Sequence, residues 1–134
     1  MIDSELRRRL SGVFTALVTP FRDGAVDVPA LERLIAAQLE AGVAGLVPVG
    51  TTGEAATLSE AEADEVIRIT VAAAKGRAFI MAGTGSNATA LAVAKAKRAE
   101  ALGADGILVV TPYYNKPSQD GLFSHFAAVA EAVK

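Results

Sequence analysis

Four times along the chain a short β-branched run gives way to a longer stretch rich in Ala, Leu and Glu. The first run, VFTALVT, predicts a strand over Val13–Thr19 that Pro20 closes. A turn follows at Asp23-Gly24. Beyond it Leu31, Leu34, Ile35 and Leu39 fall at helical spacing. Asp27 stands where an N-cap belongs, Pro29 lies in the first turn, and Gly42 supplies the stop. The second run, GLVPVG, ends at Gly50 and precedes a helix from about Ser59. There Ser59 and Glu62 form the Ser-x-x-Glu pattern of a capping box. Pro48 counts against a fully paired central strand, but its apolar neighbours still predict one. The third run is Ala78–Ala82 (AFIMA), then GTGSN, then a helical stretch from Thr89. Asn87 is expected to cap that helix. The fourth is GILVVT, then the loop PYYNKPSQDG, then a helix from Leu122.

Successive strands are about thirty residues apart, the size of a βαβ unit, so the sheet is expected to be parallel with right-handed crossovers. An open doubly wound sheet would carry a Gly-rich phosphate loop after its first strand, and this chain has TPFRDG there. A (β/α) barrel keeps its chemistry in the loops after every strand, which suits GTTGE, GTGSN and PYYN better. The predicted fold is therefore α/β with parallel (β/α) units of the TIM-barrel type. Four of the eight units are present, a half barrel. Residues 1–134 read as one domain, with 1–11 as an N-terminal extension.

Composition narrows the chemistry. At 134 residues, 51% hydrophobic and 21% charged, the chain has the balance of a globular domain. A net charge of -2 provides no field to steer nucleic acid or an anionic membrane, so neither is expected as a partner. Arg7-Arg8-Arg9 is the one basic run and reads as a solvated N-terminal segment. Without cysteine there is no disulfide, thiolate nucleophile or Cys-based zinc site. His125 is the sole histidine, without the neighbours that a metal site or a Ser/His pair requires, and is expected to pack or to lie at the surface. No apolar run reaches the length of a secretory signal or a membrane span, and a cytoplasmic location is expected.

The unusual residues gather at the C-terminal ends of the strands. In GTTGE, Gly50 and Gly53 allow close backbone approach, consecutive N–H groups can face a carboxylate, and Thr51 and Thr52 add hydroxyl donors. A turn held by local threonine bonds explains the pentapeptide equally well. No lysine follows it, which excludes a nucleotide P-loop. In PYYNKP, Tyr113 and Tyr114 point in different directions, so one of them at most is expected in a given pocket. A phenol there can donate to a ligand or relay a proton. Covering of apolar surface or an oligomer contact is the simpler account of the pair.

In combination these strand ends resemble one family. ALVTPF at 16–21, VGTTGE at 49–54, AGTGSNAT at 82–89 and VTPYYNKPSQDGL at 110–122 are similar, in order and spacing, to the N-terminal half of the dihydrodipicolinate synthases. These are class I aldolase-type lyases of the superfamily that includes N-acetylneuraminate lyase. The resemblance implies a Schiff base between pyruvate and a lysine, whose enamine adds to L-aspartate 4-semialdehyde, with no other cofactor and no metal. It implies that Thr51 belongs to a proton relay and that Thr52, in the loop opened by Gly50, binds the pyruvate carboxylate. It implies that Tyr114 is a relay tyrosine crossing a dimer interface into the partner's site. Tyr113 and Asn87 then lie near that interface, and the protein forms a homo-oligomer, a dimer or tetramer.

Two departures matter. Ala55, Glu60, Ala63 and Leu91 stand where lysine-inhibited members carry more polar or histidine side chains, although Asn87 remains, so insensitivity to lysine is expected. The family's Schiff-base lysine lies on a sixth strand, beyond Lys134. Of the lysines present, Lys75, Lys95, Lys97 and Lys134 fall on helices or at their ends, away from the expected pocket. Lys116 is in a loop. The isolated chain is expected not to catalyse the condensation. The alternatives are another pyruvate lyase, such as N-acetylneuraminate lyase, or a non-catalytic half barrel that self-associates.

Overall fold

Helix α1 (Ser4–Arg9) precedes strand β1 (Phe14–Ala16) in the computed structural model, which describes residues 3–134. Met1 and Ile2 of the expected N-terminal extension lie outside the described residues. A hairpin of β2 (Phe21–Arg22) and β3 (Ala25–Val26) turns through Asp23 and Gly24, both at positive φ. Then follow α2 (Val28–Glu40), β4 (Gly45–Val47), α3 (Glu60–Ala74), β5 (Phe79–Gly83), α4 (Thr89–Ala101), β6 (Gly106–Leu108) and α5 (Gln119–Ala130). The main sheet has the order β1-β4-β5-β6, with every pair parallel. Each step along it passes through a helix, so the four units build part of a barrel.

Alternation along the strands sorts the side chains. Leu46 and Ile80 pair in register and join Leu17 in one core with Leu31, Ile35 and Leu39 of α2 and Val66, Ile67 and Ile69 of α3. The opposite face is the hollow of the barrel, and there Ala16 and Leu108 are exposed. At the base of this face the Phe14 and Phe79 rings meet tilted, with centroids 5.9 Å apart. Arg9 lies over the Phe79 ring, 4.9 Å from its centroid, and pairs with Asp105 at 2.5 Å. Asp105 in turn accepts from the Ile80 N–H at 2.9 Å. Arg9 is therefore a strap across the barrel base, although it stays exposed, like Arg7 and Arg8, as expected of a solvated run. Its partners lie far along the sequence, and nothing local betrays them.

Other boundaries shift for identifiable reasons. The first strand keeps ladder geometry only over Phe14–Ala16 rather than Val13–Thr19. The second ends at Val47, one residue before Pro48, whose carbonyl still accepts from the Gly83 N–H at 2.9 Å. Helix α5 begins at Gln119 rather than Leu122, because the Ser118 side chain accepts from the Gly121 N–H. Asn87 does not cap α4. Ala88 holds that position, and the Ala88 N–H goes to Ser86 Oγ at 3.2 Å. The Ser59–Glu62 capping box forms as the spacing predicts. His125 is a buried packing residue whose Nδ1 meets Thr89 Oγ1 at 2.9 Å, joining α4 to α5.

Asp27 caps α2 through the Ala30 N–H at 3.1 Å and also takes a hydrogen bond from Arg22 at 2.8 Å. The Ala30 N–H first, and then Arg22, hold its carboxyl below the ordinary carboxylate value against the opposing effect of burial. A depressed folded value stabilises the protein above the unfolded pKa of about 4, and that contribution disappears as pH falls through the folded value. Urea midpoints are thus expected to decline below about pH 4, and Asp27→Asn should flatten that decline because asparagine caps without titrating. An unchanged slope in the variant would remove Asp27 from the acid response.

Candidate functional site

The GTTGE segment is more than a simple turn. Beyond Pro48 the chain enters the left-handed region at Val49 (φ 57), an uncommon state for a β-branched residue and a sign of local strain. Gly50 O then accepts from the N–H groups of Gly53 (3.0 Å) and Ala55 (3.3 Å), and Thr51 O accepts from Glu54 at 3.0 Å. Glu54 also has positive φ, and its carbonyl receives Thr57 and Leu58 before Ser59 starts α3. These bonds engage Gly53, Glu54 and Ala55. Among the described residues the N–H groups of Thr51 and Thr52 have no internal backbone acceptor. Both threonines are exposed at the loop's crest.

Two glycines and one threonine seat this loop on the sheet. Gly53 is buried, and a Cβ there would lie 3.0 Å from Leu17 O and 3.2 Å from Val49 N. A Cβ on Gly83 would collide with the Val49 carbonyl. Thr19, just past β1, donates from Oγ1 to Gly53 O at 2.7 Å. Thr19 and Gly83 had no place in the sequence reading of the site. Their presence in ALVTPF and AGTGSNAT was the available signal.

The tyrosine pair divides as two adjacent side chains must. Tyr113 turns toward GTTGE and is 54% exposed, whereas Tyr114, at φ 71, is 94% exposed and projects away. Asn115 Nδ2 donates to Asn87 O at 3.1 Å, tying the tyrosine loop to GTGSN. Between these loops lies a cavity of about 580 Å³ bordered by Gly50, Thr51, Glu54, Lys95, Leu108 and Tyr113. Gly50, Thr51 and Tyr113 are thus brought together, and Thr52 and Tyr114 are not on that wall. Hydroxyl donors, a phenol and an ammonium set into apolar walls suit a small carboxylate with a short apolar body.

Residues 9–134 match the Dihydrodipicolinate synthetase family. The chain belongs to that family. A 4-hydroxy-tetrahydrodipicolinate synthase of Acidiphilium cryptum is 58% identical over 123 residues, 91% of this chain and 42% of the relative. The solved structure of the 4-hydroxy-tetrahydrodipicolinate synthase from Methylacidiphilum fumariolicum SolV is 51% identical with a TM-score of 0.91, covering 92% of this chain and 41% of that one. A chloride-inhibited dihydrodipicolinate synthase from Acinetobacter baumannii, solved in complex with pyruvate, is 50% identical with a TM-score of 0.89. The chain spans less than half the length of these relatives.

Within this member of the family a second cavity of about 300 Å³ adjoins the first and shares Val49, Ala55, Gly83, Lys95 and Tyr113 with it. Asn87 lies on its wall, as do Ala55, Glu60, Ala63 and Leu91. Arg98 is engaged there by Asp64 at 3.2 Å and Glu60 at 3.4 Å. Lys95, by contrast, makes no ion pair among the described residues. It borders both cavities, which corrects the expectation that every helical lysine lies away from the pocket. The sequence places Lys95 on α4, but only packing shows that this face of α4 meets the strand-end loops.

Proposed function

We propose that this chain is the pyruvate-binding half of a 4-hydroxy-tetrahydrodipicolinate synthase, a cytoplasmic lyase of lysine biosynthesis. The observation that carries the reading is Thr51, with its unengaged N–H at the cavity wall beside Tyr113. Identity of half or more to 4-hydroxy-tetrahydrodipicolinate synthases over nine-tenths of the chain supports it. In this reading Thr52 and Gly50 receive the pyruvate carboxylate and Thr51 passes a proton. Tyr114 completes the relay in a second subunit of a homo-oligomer, near Tyr113 and Asn87, and its near-complete exposure in one protomer suits that role. A lysine amine condenses with the C2 carbonyl of pyruvate, releasing water, and the derived enamine carbon bonds to the aldehyde carbon of L-aspartate 4-semialdehyde. No metal or organic cofactor takes part.

Such an amine needs a buried setting that favours its neutral form. Lys95 is the one lysine that borders the cavity. It stands on a helix rather than at a strand end, and we assign it no part in the condensation. Borohydride with pyruvate should therefore leave no adduct on the isolated chain. Adding the C-terminal half of a related synthase should restore both the adduct, on the added half, and turnover of aspartate semialdehyde in preference to sialic acid. Lysine added to the restored assay should not inhibit it. A reduced pyruvate adduct on Lys95, or a restored preference for sialic acid, would sink this assignment.

A further inference from the structure

We infer that Thr19 is the positioning residue of the ligand loop. It acts through Gly53 to present Thr51 to the cavity, and this inference rests on the pyruvate-site reading above. Thr19 is 4% exposed and borders neither cavity, so it does not touch a ligand there. Its hydroxyl crosses 34 positions of sequence to donate to Gly53 O at 2.7 Å. Gly53 is the hinge of the loop's hydrogen bonds: its N–H closes the turn onto Gly50 O, and its neighbours Glu54 and Ala55 close the next two. A Cβ on Gly53 would meet Leu17 O, Val49 N and Thr19 Oγ1, all within 3.3 Å. The loop is thus clamped at this point by Leu17 and Thr19, just past β1, and by Val49, whose strained backbone leads into it. With the hydroxyl removed, the buried Gly53 carbonyl loses its donor, and the turn has reason to rotate toward water. That rotation would carry the Thr51 N–H off the cavity.

The test compares amide hydrogen exchange in Thr19→Val, Thr19→Ala and Thr19→Ser, together with pyruvate affinity by calorimetry. Valine and alanine should each speed exchange of the Gly53, Glu54 and Ala55 amides about tenfold or more, while the Phe79 amide, bonded to Ala44 O, stays protected. Serine should restore the native pattern, which a purely packing role would not allow. Pyruvate affinity should fall in parallel, about tenfold, in valine and alanine and recover in serine. Unchanged loop exchange in the hydroxyl-lacking variants, failure of serine to rescue, or global unfolding of both valine and alanine variants would each overturn the inference. If the parent chain binds no pyruvate, the exchange data still decide the role of Thr19, and only the carboxylate reading falls.

Discussion

Gly83→Ala is expected to destabilise the protein by at least about 3 kcal/mol, the upper end of overpacking costs. The added methyl would meet the Val49 carbonyl and the Gly50 nitrogen, and both are backbone atoms. A flexible side chain could swing aside, but this backbone cannot. The Gly83 N–H is itself bonded to Pro48 O at 2.9 Å, so the two segments are drawn together where the methyl would part them. Val49 already occupies a strained left-handed conformation and has little room to relax. Gly83 needs no positive φ, so the cost comes from contact rather than conformation. The damage should reach the cavity, because Val49 and Gly50 line it beside Gly83. A urea midpoint within experimental error of the parent, with unchanged pyruvate affinity, would refute this.

Leu46→Ala should cost about 2–5 kcal/mol, the range for truncating a fully buried leucine. Leu46 is 0% exposed at the middle of the central strand β4, held between Thr15 of β1 and Ile80 of β5 by register. It packs into the core shared with α2 and α3, where elements on both sides limit collapse of the vacated space. For a domain of this size that loss lowers the melting temperature by on the order of ten degrees. Leu6→Ala, on exposed α1, should shift stability by no more than about 0.5 kcal/mol and serves as the control. Similar losses in the two variants would mean that the sheet-helix layer is not the main core.

Much of the scaffold was legible before any coordinates. The helical spacing of Leu31, Ile35 and Leu39 places all three in the core, the Ser59–Glu62 box forms, and Asp27 caps α2. Each of these signals acts within one or two helical turns, where propensity and capping hold without outside help. What local pattern missed came from other side chains, one close by and one distant. Ser86 rather than Asn87 receives the Ala88 N–H, and Arg9 is drawn to Asp105 and Phe79 across the barrel base.

The candidate site shows the same division more sharply. Gly50, Thr51 and the tyrosine pair could be singled out as glycine, hydroxyl and phenol at strand ends, because a parallel sheet puts all such ends on one face. The sequence alone determined which units exist, their order and that shared face. Tertiary structure decided that Tyr113 rather than Tyr114 turns to the cavity, that Lys95 borders it, and that Thr19 and Gly83 seat the loop. The physical reason is range. Periodicity and caps are written in neighbouring residues, whereas a hydroxyl 34 positions away, or a carbonyl that excludes a methyl, acts only after the strands have come together.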